Sequence, residues 1–314
     1  MQSLSLPYTL HQPQLNCIQP CPAWRTLGMA PTLRSLPVLL LSIGLLSGCS
    51  SAAFLAANLP TAIGGSDRTG GLAYGPESRQ ELDLYVPQAP ATEPRPVIVF
   101  IHGGSWATGS KNQYRFVGSS LAEQGFIASL PNYRLSPAVK FPVFVEDAAQ
   151  AVAWTLHNIE RYGGDPRRVF VMGHSAGAHI ALLLALDRHY LADAGASADD
   201  LRGAIGLSGP YDFKINTDRL RMVFGAAPDP RATQPIGFVR GDAPPLLLVH
   251  GTGDKVCWSE HSIRLTEQIR AAGGSAELKL YPGLGHGSTV GGFSALGRNQ
   301  SPSLADVTAF LRAH

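Results

Sequence analysis

The sequence predicts an α/β protein: a doubly wound, mostly parallel sheet with helices on both faces. Three observations carry this expectation. The runs Val97–Ile101, Val169–Met172, Ala204–Leu207 and Leu246–His250 are short and continuously apolar, as strands covered on both faces must be. Longer segments with helical periodicity lie between them. The 314 residues, 45% hydrophobic and 15% charged, suffice for one large domain with a buried core.

From the N-terminus, the first 48 residues stand apart. Arg25 and Arg34 precede an apolar run, Leu36–Leu46, too short to span a bilayer comfortably and of the length of a signal-peptide core. Leu46-Ser47-Gly48-Cys49 follows and resembles the lipobox of bacterial lipoproteins, which implies cleavage before Cys49 and its lipidation. Residues 1–48 read as a lipoprotein signal peptide; Met29 would give it a more compact start, which leaves residues 1–28 either part of that signal or an upstream extension. Cleavage removes two of the 25 basic residues and none of the 23 acidic ones, leaving 23 of each. A neutral domain offers no basic excess for nucleic acid. Of the cysteines, Cys49 and Cys257 then remain; Cys49 carries lipid and Cys257 reads as a packed thiol, so no intramolecular disulfide is expected.

Residues 49–74 read as a glycine- and alanine-containing tether, and a chain beginning near Ser66 is expected to be soluble and active. The catalytic domain is assigned to residues 75–314. Within it, Glu81–Val86 alternates like a half-exposed strand. Val145, Ala148, Ala149, Val152, Leu156 and Ile159 share one helical face, with acids in the first turn and Gly163 near the stop. Ser259–Ala272 and Ser303–Leu311 read as further helices, and Glu277–Tyr281 as a strand. Gly209–Pro245 is a long irregular insertion of the kind that forms a short cap.

Gly173-His174-Ser175-Ala176-Gly177 is G-x-S-x-G directly after a buried strand and before a helix, where it reads as a nucleophile elbow. Glycine at 173 and 177 removes collisions across the tight turn and leaves Ser175 exposed at its tip. A serine hydroxyl needs a base oriented by an acid, and where G-x-S-x-G forms a nucleophile elbow in this fold the chain order is Ser, acid, His. Asp254, after Leu246–His250, and His286, in the loop after Glu277–Tyr281, fit that order. Asp212 is the second choice of acid. The loop His102–Trp106 can aim amides above Ser175, so Gly104, Ser105 and Ala176 are the candidate oxyanion-hole donors. Its glycine spacing also approaches a phosphate-binding loop, but Ser110-Lys111 reverses the required order. His102 and His250 read as hydrogen-bonded turn residues. His174 and His179 are five apart rather than the four of a helical zinc pair, so neither metal nor cofactor is expected. Phe213, Phe224 and Phe238, with Trp106 across the mouth, read either as an apolar substrate pocket or as ordinary packing.

The stretches "HGGSW", "NYRLSPAVKFPVFVEDAAQAVAW", "YGGDPRRVFVMGHSAGAHIALLL", "PPLLLVHGTGDKV" and "YPGLGHG" make residues 75–314 resemble the α/β-hydrolases. The resemblance is to bacterial carboxylesterases similar to the hormone-sensitive-lipase, prenylcysteine-methylesterase and kynurenine-formamidase groups. It implies Ser175 as nucleophile, Asp254 and His286 as its partners, and the amides of Gly104, Ser105 and Ala176 as oxyanion hole. Many such relatives have HGGG where this chain has HGGS, and Ser105 lacks glycine's backbone freedom. The expected function is a serine carboxylesterase acting on short or medium esters, with formamide, amide or lipid-ester hydrolysis as alternatives. A non-catalytic binding lipoprotein is disfavoured, because a binding module has no need of Ser, Asp and His at three loop ends. The expected location is the bacterial cell envelope, lipid-anchored. Ser50 stands where an aspartate resembles an inner-membrane retention signal, which favours the outer membrane.

Overall fold

Each continuously apolar run lies where a strand is sandwiched between helices, and alternate side chains feed opposite cores. In β3, Val97, Val99 and Ile101 join one hydrophobic cluster, whereas Ile98 and Phe100 join the other. The computed structural model describes residues 52–59 and 66–314; the expected signal segment and Cys49 lie outside the described residues. In chain order the elements are a short helix over residues 52–58 (α1), β1 (Ser66–Ala73), β2 (Glu81–Pro87), β3 (Arg95–Ile101), α2 (Arg115–Glu123), β4 (Ile127–Pro131), α3 (Val143–Asn158), β5 (Gly164–His174), α4 (Ala176–Leu186), α5 (Arg188–Asp193), β6 (Leu201–Leu207), α6 (Asp218–Phe224), β7 (Leu246–Gly251), α7 (Glu260–Ala271), β8 (Ala276–Tyr281), α8 (Ser288–Gly291) and α9 (Ser303–Ala313).

The strands form one eight-stranded sheet in the order β1-β2-β4-β3-β5-β6-β7-β8. β2 runs antiparallel to both β1 and β4, and every pairing from β4 through β8 is parallel. On one face pack Val145, Ala148, Ala149 and Val152 of α3, the whole of α4, and Leu265 and Ile269 of α7. On the other face lie Val117 and Leu121 of α2 with Val307, Phe310 and Leu311 of α9. All eleven residues of α4 are buried, which explains a helix apolar around its whole circumference.

Four elements, α1, β1, β2 and β4, depart from the sequence expectation. The segment taken as a tether contains α1 and a full strand, so the sheet begins at Ser66 rather than after residue 75. β1 is an exposed edge strand, SDRTGGLA, and carries no apolar run to betray it. β2 is not half-exposed: Leu82, Asp83, Leu84 and Tyr85 are all buried. Asp83 alternates with leucines because it is ion-paired there, accepting from Lys111 Nζ at 2.8 Å and Arg68 Nη2 at 2.7 Å. β4, five residues long and wholly buried, was not anticipated.

Candidate active site

β5 ends at His174 and α4 begins at Ala176, so Ser175 alone makes the turn. Its backbone lies at φ 56°, ψ −122°, in the positive-φ region that a non-glycine residue enters only when its surroundings force it. The flanking glycines are obligatory on steric grounds. A Cβ on Gly173 would lie 2.2 Å from the backbone of Gly177, and one on Gly177 would lie 2.0 Å from the carbonyl oxygen of Ile101. The Ser175 amide donates to the Leu207 carbonyl at 2.9 Å, tying the turn to β6.

The loops after β7 and β8 meet at equally close range. A Cβ on Gly251 would stand 2.1 Å from the Leu284 carbonyl oxygen, and the Gly253 amide donates to that oxygen at 3.0 Å. The Gly283 amide in turn donates to the Thr252 hydroxyl at 2.9 Å. This junction sets Asp254 beside His286. His286 Nδ1 donates to Asp254 Oδ2 at 2.7 Å, and the Ser175 hydroxyl donates to His286 Nε2 at 2.9 Å. The structure thus brings the three residues singled out in the sequence into one hydrogen-bonded line. Asp254 is buried, and His286 keeps 18% of its side chain exposed, enough for a substrate to reach it.

Burial by itself would raise the Asp254 carboxyl, but hydrogen bonds from His250, His286 and the Cys257 amide outweigh it and hold the group well below the usual carboxylate range. Oδ1 accepts the amides of Val256 at 2.8 Å and Cys257 at 2.9 Å, so the carboxylate is fixed at both oxygens. Asp212, the second choice of acid, is engaged elsewhere: it pairs with Arg264 Nη1 at 2.7 Å, on a half-exposed surface.

The loop after β3 holds an unusual backbone. Gly104, Ser105 and Trp106 all have positive φ, at 126°, 50° and 58°. Ser105 therefore adopts the left-handed conformation that a glycine would take without strain. Among the described residues no backbone acceptor takes the amides of Gly104 or Ser105. Ala176 is the first residue of α4, whose amide has no partner inside the helix. The loop is braced from behind: Tyr133 Oη donates to the His102 carbonyl at 3.0 Å, and the Ser136 amide donates to the Trp106 carbonyl at 2.9 Å.

Trp106 and Phe224 are buried rather than set across an open mouth, and Phe213 borders a surface cavity of about 310 Å³ with Asp212, Arg231 and Gln234. The three rings pack together, with ring centroids 4.8 Å apart for Trp106–Phe224, 5.8 Å for Trp106–Phe213 and 5.3 Å for Phe213–Phe224. Trp106 and Phe224 are buried in the main core. Phe213 has only an edge at the surface, and Phe238 is half-buried against the same cluster. A loop this large needs its own apolar support, and these rings supply it. Cys257 is buried. Two further side chains touch this machinery, both buried: His250, which the sequence assigns to a turn, and His174, whose spacing from His179 excludes it only as a zinc ligand.

Residues 82–269, more than half of the chain, match the BD-FAE family model. This chain belongs to the BD-FAE family. Its mostly parallel sheet and helices are those of an α/β-hydrolase fold. The BD-FAE chain is 33% identical over 237 residues to isoprenylcysteine alpha-carbonyl methylesterase of Arabidopsis thaliana, covering 68% of this chain and 55% of that one. It is also 33% identical over 235 residues to esterase LipC of Mycobacterium tuberculosis, covering 68% and 58%. It therefore spans little more than half the length of these curated relatives. Among solved structures it is similar to esterase 2 of Thermogutta terrifontis, with a TM-score of 0.66 and 26% identity over 79% of this chain and 94% of that one.

Proposed function

We propose that this BD-FAE chain hydrolyses carboxylic esters through an acyl-enzyme on Ser175. The observation that carries the reading is the continuous line from Asp254 through His286 to Ser175, with the serine held at a strained elbow. The esterase names of its relatives point the same way.

In the first half-reaction Ser175 Oγ attacks the ester carbonyl carbon and its proton passes to His286 Nε2. Asp254 keeps the Nδ1 proton in place and stabilises the imidazolium that forms. The negative charge that develops on the carbonyl oxygen is met by the amides of Gly104, Ser105 and Ala176, which are fixed before reaction and need no reorganisation. Collapse breaks the bond to the alcohol oxygen, which takes the proton from His286 as it leaves. In the second half-reaction water attacks the acyl-enzyme, gives a proton to His286, and the acid departs as Ser175 recovers its own.

Ser175→Ala tests this directly. A fluorophosphonate should label the native protein at Ser175 and not the variant, and hydrolysis of short p-nitrophenyl esters should fall by at least about 10³-fold. Turnover near the native rate in the variant would remove Ser175 from the chemistry.

The location is proposed on sequence grounds: Cys49 as a lipidated N-terminus that anchors the domain at the cell envelope. No helix among the described residues is long and apolar enough to cross a membrane. Cys49→Ala is expected to abolish acylation and stable membrane attachment, measured by metabolic labelling with a fatty-acid probe and by fractionation.

A further inference from the structure

Two buried histidines stand directly behind the pair His286–Asp254, and their environments are built alike. His250, four residues before Asp254 at the end of β7, points Nε2 at two acceptors, the Cys257 carbonyl at 2.8 Å and Asp254 Oδ2 at 3.3 Å. A ring nitrogen facing two acceptors must carry a proton. In the neutral ring Nδ1 then accepts from the Ser262 hydroxyl, 2.7 Å away on α7. His174, immediately before the nucleophile, points Nε2 at the His286 main-chain carbonyl, 3.1 Å away, so this nitrogen too is a donor. Its Nδ1 faces the Tyr114 hydroxyl at 3.3 Å.

We propose that His250 and His174 are positioning residues of the triad: each donates from Nε2 to one member of the His286–Asp254 pair and is held in that tautomer by a hydroxyl on its Nδ1. His250 shares Asp254 Oδ2 with His286 and, through the Cys257 carbonyl, closes the turn whose amides grip Oδ1. His174 fixes the backbone of the loop carrying His286, with the two rings 4.9 Å apart. The inference rests on the esterase reading above and names what keeps its base and acid in register. Burial, with His286 adding to it, pushes the His174 imidazole down to about 3, consistent with a ring that carries a single proton at neutral pH. The arrangement suits catalysis, because a reacting group misplaced by about 1 Å loses on the order of 100-fold in rate.

The experiment compares His→Gln with His→Asn at each position in the full chain. Glutamine carries an amide nitrogen near the Nε2 position and reaches the triad; asparagine ends near Nδ1 and meets only the hydroxyl. Two quantities are measured: kcat and KM on a short p-nitrophenyl ester, and the rate constant and final extent of fluorophosphonate labelling. His250→Asn should lower kcat and the labelling rate constant together, by about 30- to 100-fold, with KM within about twofold. His250→Gln should recover to within about fivefold of native. The 174 pair should behave in the same order with a smaller span, about tenfold for Asn. A purely structural role would lower the extent of labelling, the folded fraction, and leave its rate constant alone. Asn variants that label at the native rate constant, or Gln variants no better than Asn, would overturn the proposal. Native protein that takes no label would instead sink the serine-esterase reading itself.

Discussion

At Asp254 desolvation and hydrogen bonding oppose one another on a single carboxyl group, and the donors win. The consequence is an acid that stays ionised while the imidazole beside it cycles. Asp254→Asn keeps the shape but presents an amide to His286 Nδ1, so the ring is driven toward the wrong tautomer. A fall in kcat of about 10³- to 10⁴-fold is expected. Asp212→Asn should leave kcat within about twofold, because Asp212 pairs with Arg264 and not with His286. Steady-state kinetics of the two variants on one ester decides between the carboxylates, and the reverse ranking would move the acid to the loop after β6. The elbow is equally specific. Gly177→Ala puts a methyl 2.0 Å from the Ile101 carbonyl oxygen, a contact that backbone on both sides cannot relieve. This variant is expected to yield no labelled, soluble enzyme, as read by fluorophosphonate labelling of the soluble fraction.

α1 changes what the N-terminal segment does. Asn58 Oδ1 accepts the Phe116 amide at 2.9 Å, supplying from a separate segment the cap that α2 lacks at its own N-cap, and its Nδ2 donates to the Gln113 carbonyl at 2.9 Å. The Phe54 ring packs 5.1 Å from Tyr114. Residues 52–59 are therefore docked on the domain rather than extended away from it. Loss of a cap costs about 1 kcal/mol, so Asn58→Ala should lower the unfolding free energy by roughly that amount. A chain beginning at Ser66 loses the cap and the Phe54 packing and should unfold about 2 kcal/mol more easily, yet retain ester turnover. Denaturant unfolding with kinetics on the same samples tests both; undiminished stability of the shortened chain would mean that α1 contributes nothing.

Across the whole molecule, buried histidines make the fold sensitive to acid. Burial pushes His102 and His174 down to about 3 and His179 to about 4, all from an ordinary value of 6.5. Below pH 6.5 the unfolded chain takes up protons at these sites while the folded chain does not, so stability falls as pH falls, until the folded values are reached. Each histidine contributes a slope of roughly 1.4 kcal/mol per pH unit inside that window, and the three together about 4. Asp254 adds to the loss at still lower pH, since its carboxylate is held below its ordinary value in the fold. The denaturant midpoint should therefore drop steeply between pH 6.5 and 5, and His179→Gln, at the ring facing the Thr233 carbonyl, should flatten that drop by about one third. A midpoint constant over this range would contradict the neutral state assigned to these rings.

Local chemistry wrote the central strands and the elbow into the sequence, because each depends on short-range rules: a buried parallel strand must be continuously apolar, and a strand-to-helix turn this tight must be flanked by glycine. The order Ser175, Asp254, His286 was legible through the resemblance to the α/β-hydrolases, in which acid and base follow the serine along the chain. β1 left no such mark, since an edge strand facing solvent tolerates SDRTGGLA, and α1 could not be told from a linker without the Tyr114 surface it covers. Whether Trp106 and Phe224 would line a pocket or fill a core depended on which rings from distant segments met them, and packing settled it. The same holds for His174, whose partner carbonyl lies 112 residues away at His286, and for His250, whose hydroxyl partner comes from another element. Hydrogen-bond geometry between residues so far apart in the chain exists only once the sheet has brought their loops together, which is why the tertiary structure alone could separate a positioning histidine from a turn residue.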